Sequence, residues 1–427
     1  MATSPLSRRT FCAGLGAAAT LAWGRSAPND QVVLAMIGVG SQGTSRLREF
    51  LRMDDVRIGA ICDLDRRHAE RAAELVAAAR GSKPPIVTDF RRVLAMKEID
   101  AAAVVTPDHW HAIPSITAMA AGKDVFCEKP LSYTVQEGRA MADLSARHKR
   151  VTQMGNHIHN TGGNYRRAVE IVRSGKLGKV HRVHLWKTGP DKNFATAEPS
   201  TVPEGFDYDF WQGPAPRRPY EPLRSHGTFR YFWDYSGGVF IDFWCHISDL
   251  AFWALDLKAA RTVAAAGARF VLTDRTECPD SMEVVMEFPQ LLYMFSLRPT
   301  ALPGFEHMGN IGCLCEGSEA SLVANYTTHE VWSRGKKVMD FARPDETIPP
   351  SPGHLREFVD GIKSRNLETT CNFRYGHQLS KHGLLANIAL RTGRKLKWDD
   401  ARERFPADAD ASRYLRREYR RPWKLKV

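Results

Sequence analysis

No Cys-x-x-Cys pair occurs in this 427-residue sequence, and its eight cysteines, at 12, 62, 127, 245, 278, 313, 315 and 371, show no Cys/His spacing that builds a zinc site. Cys313 and Cys315 stand too close for an ordinary bridge. Removal of Cys12 with a leader leaves an odd seven, which argues against a disulfide framework. His157 and His159 have no third ligand indicated, so no metal is expected. Beyond the N-terminal leader no run of 18 or more apolar residues stands out, so no membrane anchor is expected. The net charge of +12 is spread along the chain without a zinc-finger, helix-turn-helix or RRM pattern, which argues against a nucleic-acid partner.

What is present begins with Ser7-Arg8-Arg9-Thr10-Phe11 before a weakly apolar, Ala/Gly-rich run from Cys12 to Trp23. Residues 1–27 thus resemble a twin-arginine signal peptide, cleaved between Ala22 and Pro28. That implies recognition by the twin-arginine export machinery, a periplasmic or otherwise exported location, and a cofactor held tightly enough to travel with the folded chain.

The next segment reads as strand, glycine turn and helix. An apolar run, Val32 to Ile37, leads into Gly38-Val39-Gly40-Ser41-Gln42-Gly43 and then a helical pattern through Leu47, Phe50 and Leu51. Gly38 permits the tight turn, Gly40 lets backbone approach a pyrophosphate, and Gly43 lets helix and strand pack closely. A second strand, Val56 to Ile61, ends at Asp63, twenty residues beyond Gly43, where a carboxylate accepts from an adenosine ribose and repels a 2′-phosphate. NAD is therefore favoured, although Arg66 and Arg67 leave NADP open. Further strands, Ala101 to Val105, Asp124 to Cys127 and Val151 to Gly155, alternate with helices, giving a doubly wound Rossmann domain over residues 31–155. Thr106-Pro107 with His111, and Glu128-Lys129-Pro130, fall at the carboxyl ends of strands, where such sheets bind ligands.

Those motifs, with Gly237-Gly238 followed by Asp242 and His246, resemble the Gfo/Idh/MocA oxidoreductases, two-domain sugar and cyclitol dehydrogenases, over residues 31 to 400. Trp211-Gln212-Gly213-Pro214-Ala215-Pro216 and Asn387-Ile388-Ala389 resemble features of the exported branch. The resemblance implies that Lys129 and His246 handle the proton, that Asp242 binds substrate or orients them, and that Thr106, Pro107 and His111 flank the cofactor. Ser41, Gln42, Glu128, Lys129, Pro130 and Asn156 complete the expected cofactor set. The residues themselves agree. Oxidising a secondary alcohol requires a group to take the hydroxyl proton, histidine titrates nearest neutrality, and Asp242 and His246 are spaced to share a helix face.

Residues 156–427 are expected to form an α+β substrate-binding and oligomerisation domain with a large open, mostly antiparallel sheet. Its strands are Val180 to Thr188, Ala260 to Phe270, Ser281 to Phe288, Leu291 to Leu297, Ile311 to Glu316 and Ser321 to Val323, and its closing helices His354 to Ser364 and Gly376 to Thr392. The long aromatic segment Pro190 to Tyr235 offers Trp211, Arg230 and Tyr231 to a sugar ring, with Asp242 and His246 also facing it. The resemblance implies a homo-oligomer, and the basic tail from Trp398 is expected to wrap a neighbouring subunit. Three activities remain open: an NAD-linked oxidoreductase acting on a sugar or polyol hydroxyl, a redox-assisted glycosidase, and a non-catalytic sugar-binding relative.

Overall fold

The computed structural model describes residues 30–160, 163–190, 192–194 and 198–426. The leader lies outside the described residues. Strands β1 (Val32–Ile37), β2 (Val56–Cys62), β3 (Ala101–Val104), β4 (Asp124–Cys127) and β5 (Thr152–Met154) form a parallel sheet in the order β2-β1-β3-β4-β5. Their near-continuous apolar runs are buried on both faces, as a helix-covered parallel sheet requires. Ile86 makes a single parallel bridge to Ile61, so the outermost position of the sheet is reduced to one residue. Helices α1 (Ser41–Phe50), α2 (Arg66–Arg80), α3 (Phe90–Leu94), α4 (Ala112–Ala120) and α5 (Val135–Arg147) connect the strands. Asp65 caps α2 by accepting from the Arg67 N–H, Gly81 ends it at φ +80°, and Thr134 with Glu137 forms a capping box on α5.

The second sheet has nine strands: β6 (Val180–Thr188), β7 (Thr262–Ala268), β8 (Ser281–Glu287), β9 (Leu292–Arg298), β10 (Ile311–Gly317), β11 (Ser321–Ala324), β12 (His329–Ser333), β13 (Lys336–Lys337) and β14 (Leu396–Lys397). Their order is β13-β12-β11-β10-β6-β9-β8-β7-β14, and only the β6–β9 pair is parallel. Helices α6 (Gly163–Arg173), α7 (Tyr208–Gln212), α8 (Gly238–Leu255), α9 (His354–Ser364), α10 (Phe373–Thr392) and α11 (Ala409–Arg413) accompany it. α8 is apolar all round because it runs between layers, with 72% of its span buried. By length and composition alone it is apolar enough to cross a bilayer, although Asp242, His246 and Asp249 interrupt its apolar run.

One expectation changes. The cores do not separate at residue 155, because Leu355, Phe358, Val359 and Ile362 of α9 pack into the same cluster as Val32, Phe50 and Phe126. The tail packs against its own chain. Leu415 O accepts from the Gln136 N–H, Arg417 Nη2 donates to His109 O, Arg420 engages Asp209, and the Trp423 ring lies edge-on to Trp110 at 4.7 Å. Apolar surface on Trp423 and hydrogen-bonding arginines make the protein's own domain junction the nearest place to bury the tail.

Candidate active site

A cleft of about 490 Å³ opens at the carboxyl ends of β1, β2, β3 and β4 and is roofed by α8 and the segment before it. At its floor the glycines meet their expected constraints. A Cβ on Gly38 would stand 2.5 Å from Val105 O and one on Gly43 2.1 Å from Gly38 O, whereas Gly40 meets only His68 atoms at 3.9 Å and leaves its side open. Gly40 offers α1 no side-chain cap and the first turn carries no acid, so the N–H groups at Ser41 and Gln42 stay available to an anion. Asp63 lines the cleft, its carboxylate accepting from the Val39 and Asp65 N–H groups at 2.7 and 2.9 Å. Arg66 pairs with Glu70 and Arg67 with Asp65, and neither lines the cleft, so the two arginines that left NADP open point elsewhere.

At the other end Lys129, after β4 and before the cis Lys129–Pro130 peptide, donates to the Asp242 carboxylate and, at 3.1 Å, to Asp242 O. Arg230 Nε lies 3.1 Å from the second Asp242 oxygen. His246 follows one turn later on α8, and both line the cleft. Burial works against the Lys129 charge, but Asp242 and Glu128 outweigh it and raise its pKa, so the ammonium persists. Burial likewise works against the Asp242 carboxylate, yet Lys129 and Arg230 hold it down at about 2. His246 is driven well below its ordinary value by burial, then by the Lys129 and His157 charges, and its Nδ1 is buried without a partner. A neutral imidazole therefore stands beside a fixed cation.

Glu128 is buried, accepting from Arg46 Nε at 2.8 Å, and Gly155 is small of necessity because a Cβ there would lie 2.7 Å from the Glu128 carboxyl carbon. Thr106 and Pro107 line the cleft, and Thr106 Oγ1 is another buried atom without a partner.

Four expected site residues stand back from the cleft. His111 is buried with Nδ1 2.7 Å from Pro130 O and Nε2 2.9 Å from Thr106 O. Two carbonyl acceptors call for two N–H donors, hence an imidazolium. Burial opposes that charge, but Cys127, Asp108 and the Pro130 carbonyl raise its pKa to about 10. His111 thus ties the two loops together from behind. Pro130 does not line the cleft either. Asn156 Nδ2 donates to Asp249 at 2.7 Å and to Cys245 O at 3.3 Å, anchoring α8. Tyr231 packs on Phe194 at 4.5 Å between ring centroids. Trp211 does line the cleft, its carbonyl accepting from His109 and Trp110.

Sequence reasoning missed Arg46, His68 and His157 as cleft-lining groups. His68 and His226 come from segments 158 positions apart, and no local pattern joins them. Together with Asp65 they place one potential ligand atom each within 4.8 Å of one another, a trio not foreseen when no metal was expected. The Asp65 carboxylate is already taken by the Arg67 backbone N–H and guanidinium, and it meets His226 Nε2 at 3.2 Å. The same corner is clasped by the second domain: Phe206 bridges Asp65, the Arg66 N–H donates to Gly205 O, and the Asp207 N–H donates to Leu64 O.

The profile described as "Oxidoreductase family, NAD-binding Rossmann fold" matches residues 32–156, and "Oxidoreductase family, C-terminal alpha/beta domain" matches residues 165–266 and 313–425. The chain belongs to the Gfo/Idh/MocA oxidoreductase family. Its cofactor is NAD, and the glycine cradle, the uncapped start of α1 and Asp63 all line the cleft. Among solved structures this Gfo/Idh/MocA protein resembles the WlbA dehydrogenase from Bordetella pertussis in complex with NADH and UDP-GlcNAcA, at TM-score 0.62 and 17% identity over 86% of this chain and 99% of that one. Levoglucosan dehydrogenase in complex with NADH and L-sorbose gives the same TM-score, identity and coverage. Among sequences, an alpha-N-acetylgalactosaminidase from Shewanella oneidensis is 32% identical over 162 residues, 37% of this chain and 35% of the relative. A glycosyl hydrolase family 109 protein 1 from a Shewanella species matches over the same length. The alignment therefore spans about a third of these relatives.

Proposed function

We propose that the protein oxidises a secondary hydroxyl of a sugar or related polyol, with His246 as proton acceptor and Lys129 as the fixed charge that stabilises developing alkoxide. The observation that carries this reading is the neutral, half-buried His246 one helical turn from an Asp242 carboxylate that anchors both Lys129 and Arg230. NAD bound in the cleft supplies the hydride acceptor. The protein orients the substrate hydroxyl between imidazole and ammonium, and the buried site keeps competing water away. Arg230 and Trp211 lie where a sugar ring would be held. Replacement of Lys129 or His246 by Ala should abolish turnover while denatured protein still releases NAD by mass spectrometry, and wild-type rates in both variants would remove them from the mechanism.

A second reading is favoured by the relatives named as an alpha-N-acetylgalactosaminidase and a family 109 glycosyl hydrolase. Here the same groups would oxidise the ring transiently, eliminate the glycoside, hydrate and reduce again. Aryl glycosides would then be cleaved with no net NADH, whereas the first reading requires NADH to accumulate with turnover.

Export by the twin-arginine route to the periplasm is supported by Ser7-Arg8-Arg9-Thr10-Phe11. Self-association is supported by the outward side of the nine-stranded sheet, where Leu292 is 38% exposed and Met294 half-buried.

A further inference from the structure

A second cavity, about 190 Å³, lies behind the loop that carries Lys129, with Pro130, Tyr133, Asn387, Arg391, Arg416 and Arg417 in its walls. Three arginines converge there from α10 and the C-terminal tail. Arg391 lies over the rings of Trp233 at 5.2 Å and Tyr414 at 4.3 Å, and neither it nor the exposed Arg416 has a carboxylate partner among the described residues. The Arg417 side chain is 10% exposed. Its Nη2 is satisfied by Glu137 at 2.8 Å and His109 O at 2.6 Å, but Nε and Nη1 are buried with no acceptor.

The acids nearby do not balance these cations. Glu137 is spent on Arg417 and on the Tyr419 hydroxyl. Asp108, which lines the cavity, takes the Ser236 hydroxyl, and burial raises its pKa towards the neutral form. Asn387 Nδ2 donates to Gly237 O at 3.1 Å, whereas its Oδ1 is buried without a donor. Buried donors left unmade are rare in folded proteins and point to a missing partner. The unpartnered buried atoms are Nε and Nη1 of Arg417 and Oδ1 of Asn387, with the exposed Arg391 and Arg416 adding charge beside them.

We propose that this cavity binds a phosphate-type oxyanion, inorganic hydrogen phosphate or a small phosphomonoester, whose oxygens accept from Arg391 and Arg417 and whose proton is donated to Asn387. Planar guanidinium groups suit tetrahedral oxyanions because each offers paired donors. The cavity is far smaller than the cofactor cleft and shares Asp108 with it, so its occupant sits against the back of the loop that presents Lys129.

Isothermal titration with inorganic phosphate, at constant ionic strength against chloride and with saturating NAD so that the glycine loop is closed to the probe, tests the site. Saturable binding of one phosphate per chain is expected. It should weaken at least tenfold in Arg391→Met, which gives up only ring contacts, and stay unchanged in Arg374→Met, whose guanidinium pairs with Glu368 on the surface. Glucose 6-phosphate in a parallel titration separates the sources: binding marks an esterified ligand and no binding marks the free ion, either upholding the site. Absence of saturable phosphate binding in the wild type, or unaltered affinity in both Arg391→Met and Arg417→Met, overturns the proposal. Neither outcome depends on which hydroxyl, if any, the cleft oxidises.

Discussion

Lys129 and Asp242 pair at close range, and after burial the Lys129 charge is the next influence on the imidazole beside them. Because the Lys129 charge contributes to the depressed pKa of His246, Lys129→Met should move the His246 titration upward, towards the ordinary histidine value. A ring-proton NMR titration checks this, and an unmoved curve would break the electrostatic link between the two side chains. Asp242→Asn keeps the shape but frees Lys129 and Arg230 from their anchor. kcat should fall roughly 10²- to 10³-fold, the usual loss when one preorganised partner is removed, with NAD still bound. Equal kcat in the variant would leave Asp242 without a positioning role.

Elements, more than single residues, explain what could be foreseen. The β1–α1 turn was legible because its glycines answer to local geometry: apolar strand, tight turn and helix N-terminus all lie within a dozen positions. Asp242 and His246 were legible through the family resemblance, with which their i, i+4 spacing on α8 agrees. His111 and Asn156 misled for the opposite reason. Both are polar and sit next to strand ends, yet their hydrogen bonds run to Pro130 and Thr106 and to Asp249, partners that only the tertiary fold supplies. The return of α9 to the first domain was equally hidden, since an amphipathic helix does not state which core it joins. Gly155 offers a test at this scale. Gly155→Ala forces the Glu128 carboxyl away from Arg46, and overpacking of this kind should cost about 1–3 kcal/mol in denaturant unfolding. No change in the unfolding midpoint would mean that the Glu128 pocket yields freely.

For the molecule as a whole, buried neutral histidines decide its acid behaviour. Burial depresses His109 and His354 to about 3 and His382 to about 4. In the unfolded chain these groups take up protons near pH 6.5, so the stability they confer is complete above that value and declines as pH falls towards 4, by up to about 1.4 kcal/mol per histidine per pH unit. His111 has the opposite sign, because its raised pKa favours the folded state below pH 6.5 and that contribution is lost as pH rises through about 10. Three groups outweigh one, so the thermal midpoint should drop steadily from pH 7 to pH 4, and a flat profile would contradict the neutral assignments. The tail belongs to the same scale. Trp423→Ala uncovers Trp110 and Phe210, and should cost about 2 kcal/mol of stability while leaving sedimentation behaviour unchanged. Dissociation of an oligomer instead would mean that the tail works between chains.

The clasp of Gly205, Phe206 and Asp207 across the start of α2 joins the second domain to the corner of the cleft that Asp63 lines. Entry and exit at that corner are therefore expected to follow the parting of these contacts. Protein refolded without dinucleotide should take it up slowly, at a rate independent of its concentration once saturating, as a gate that opens on its own schedule requires.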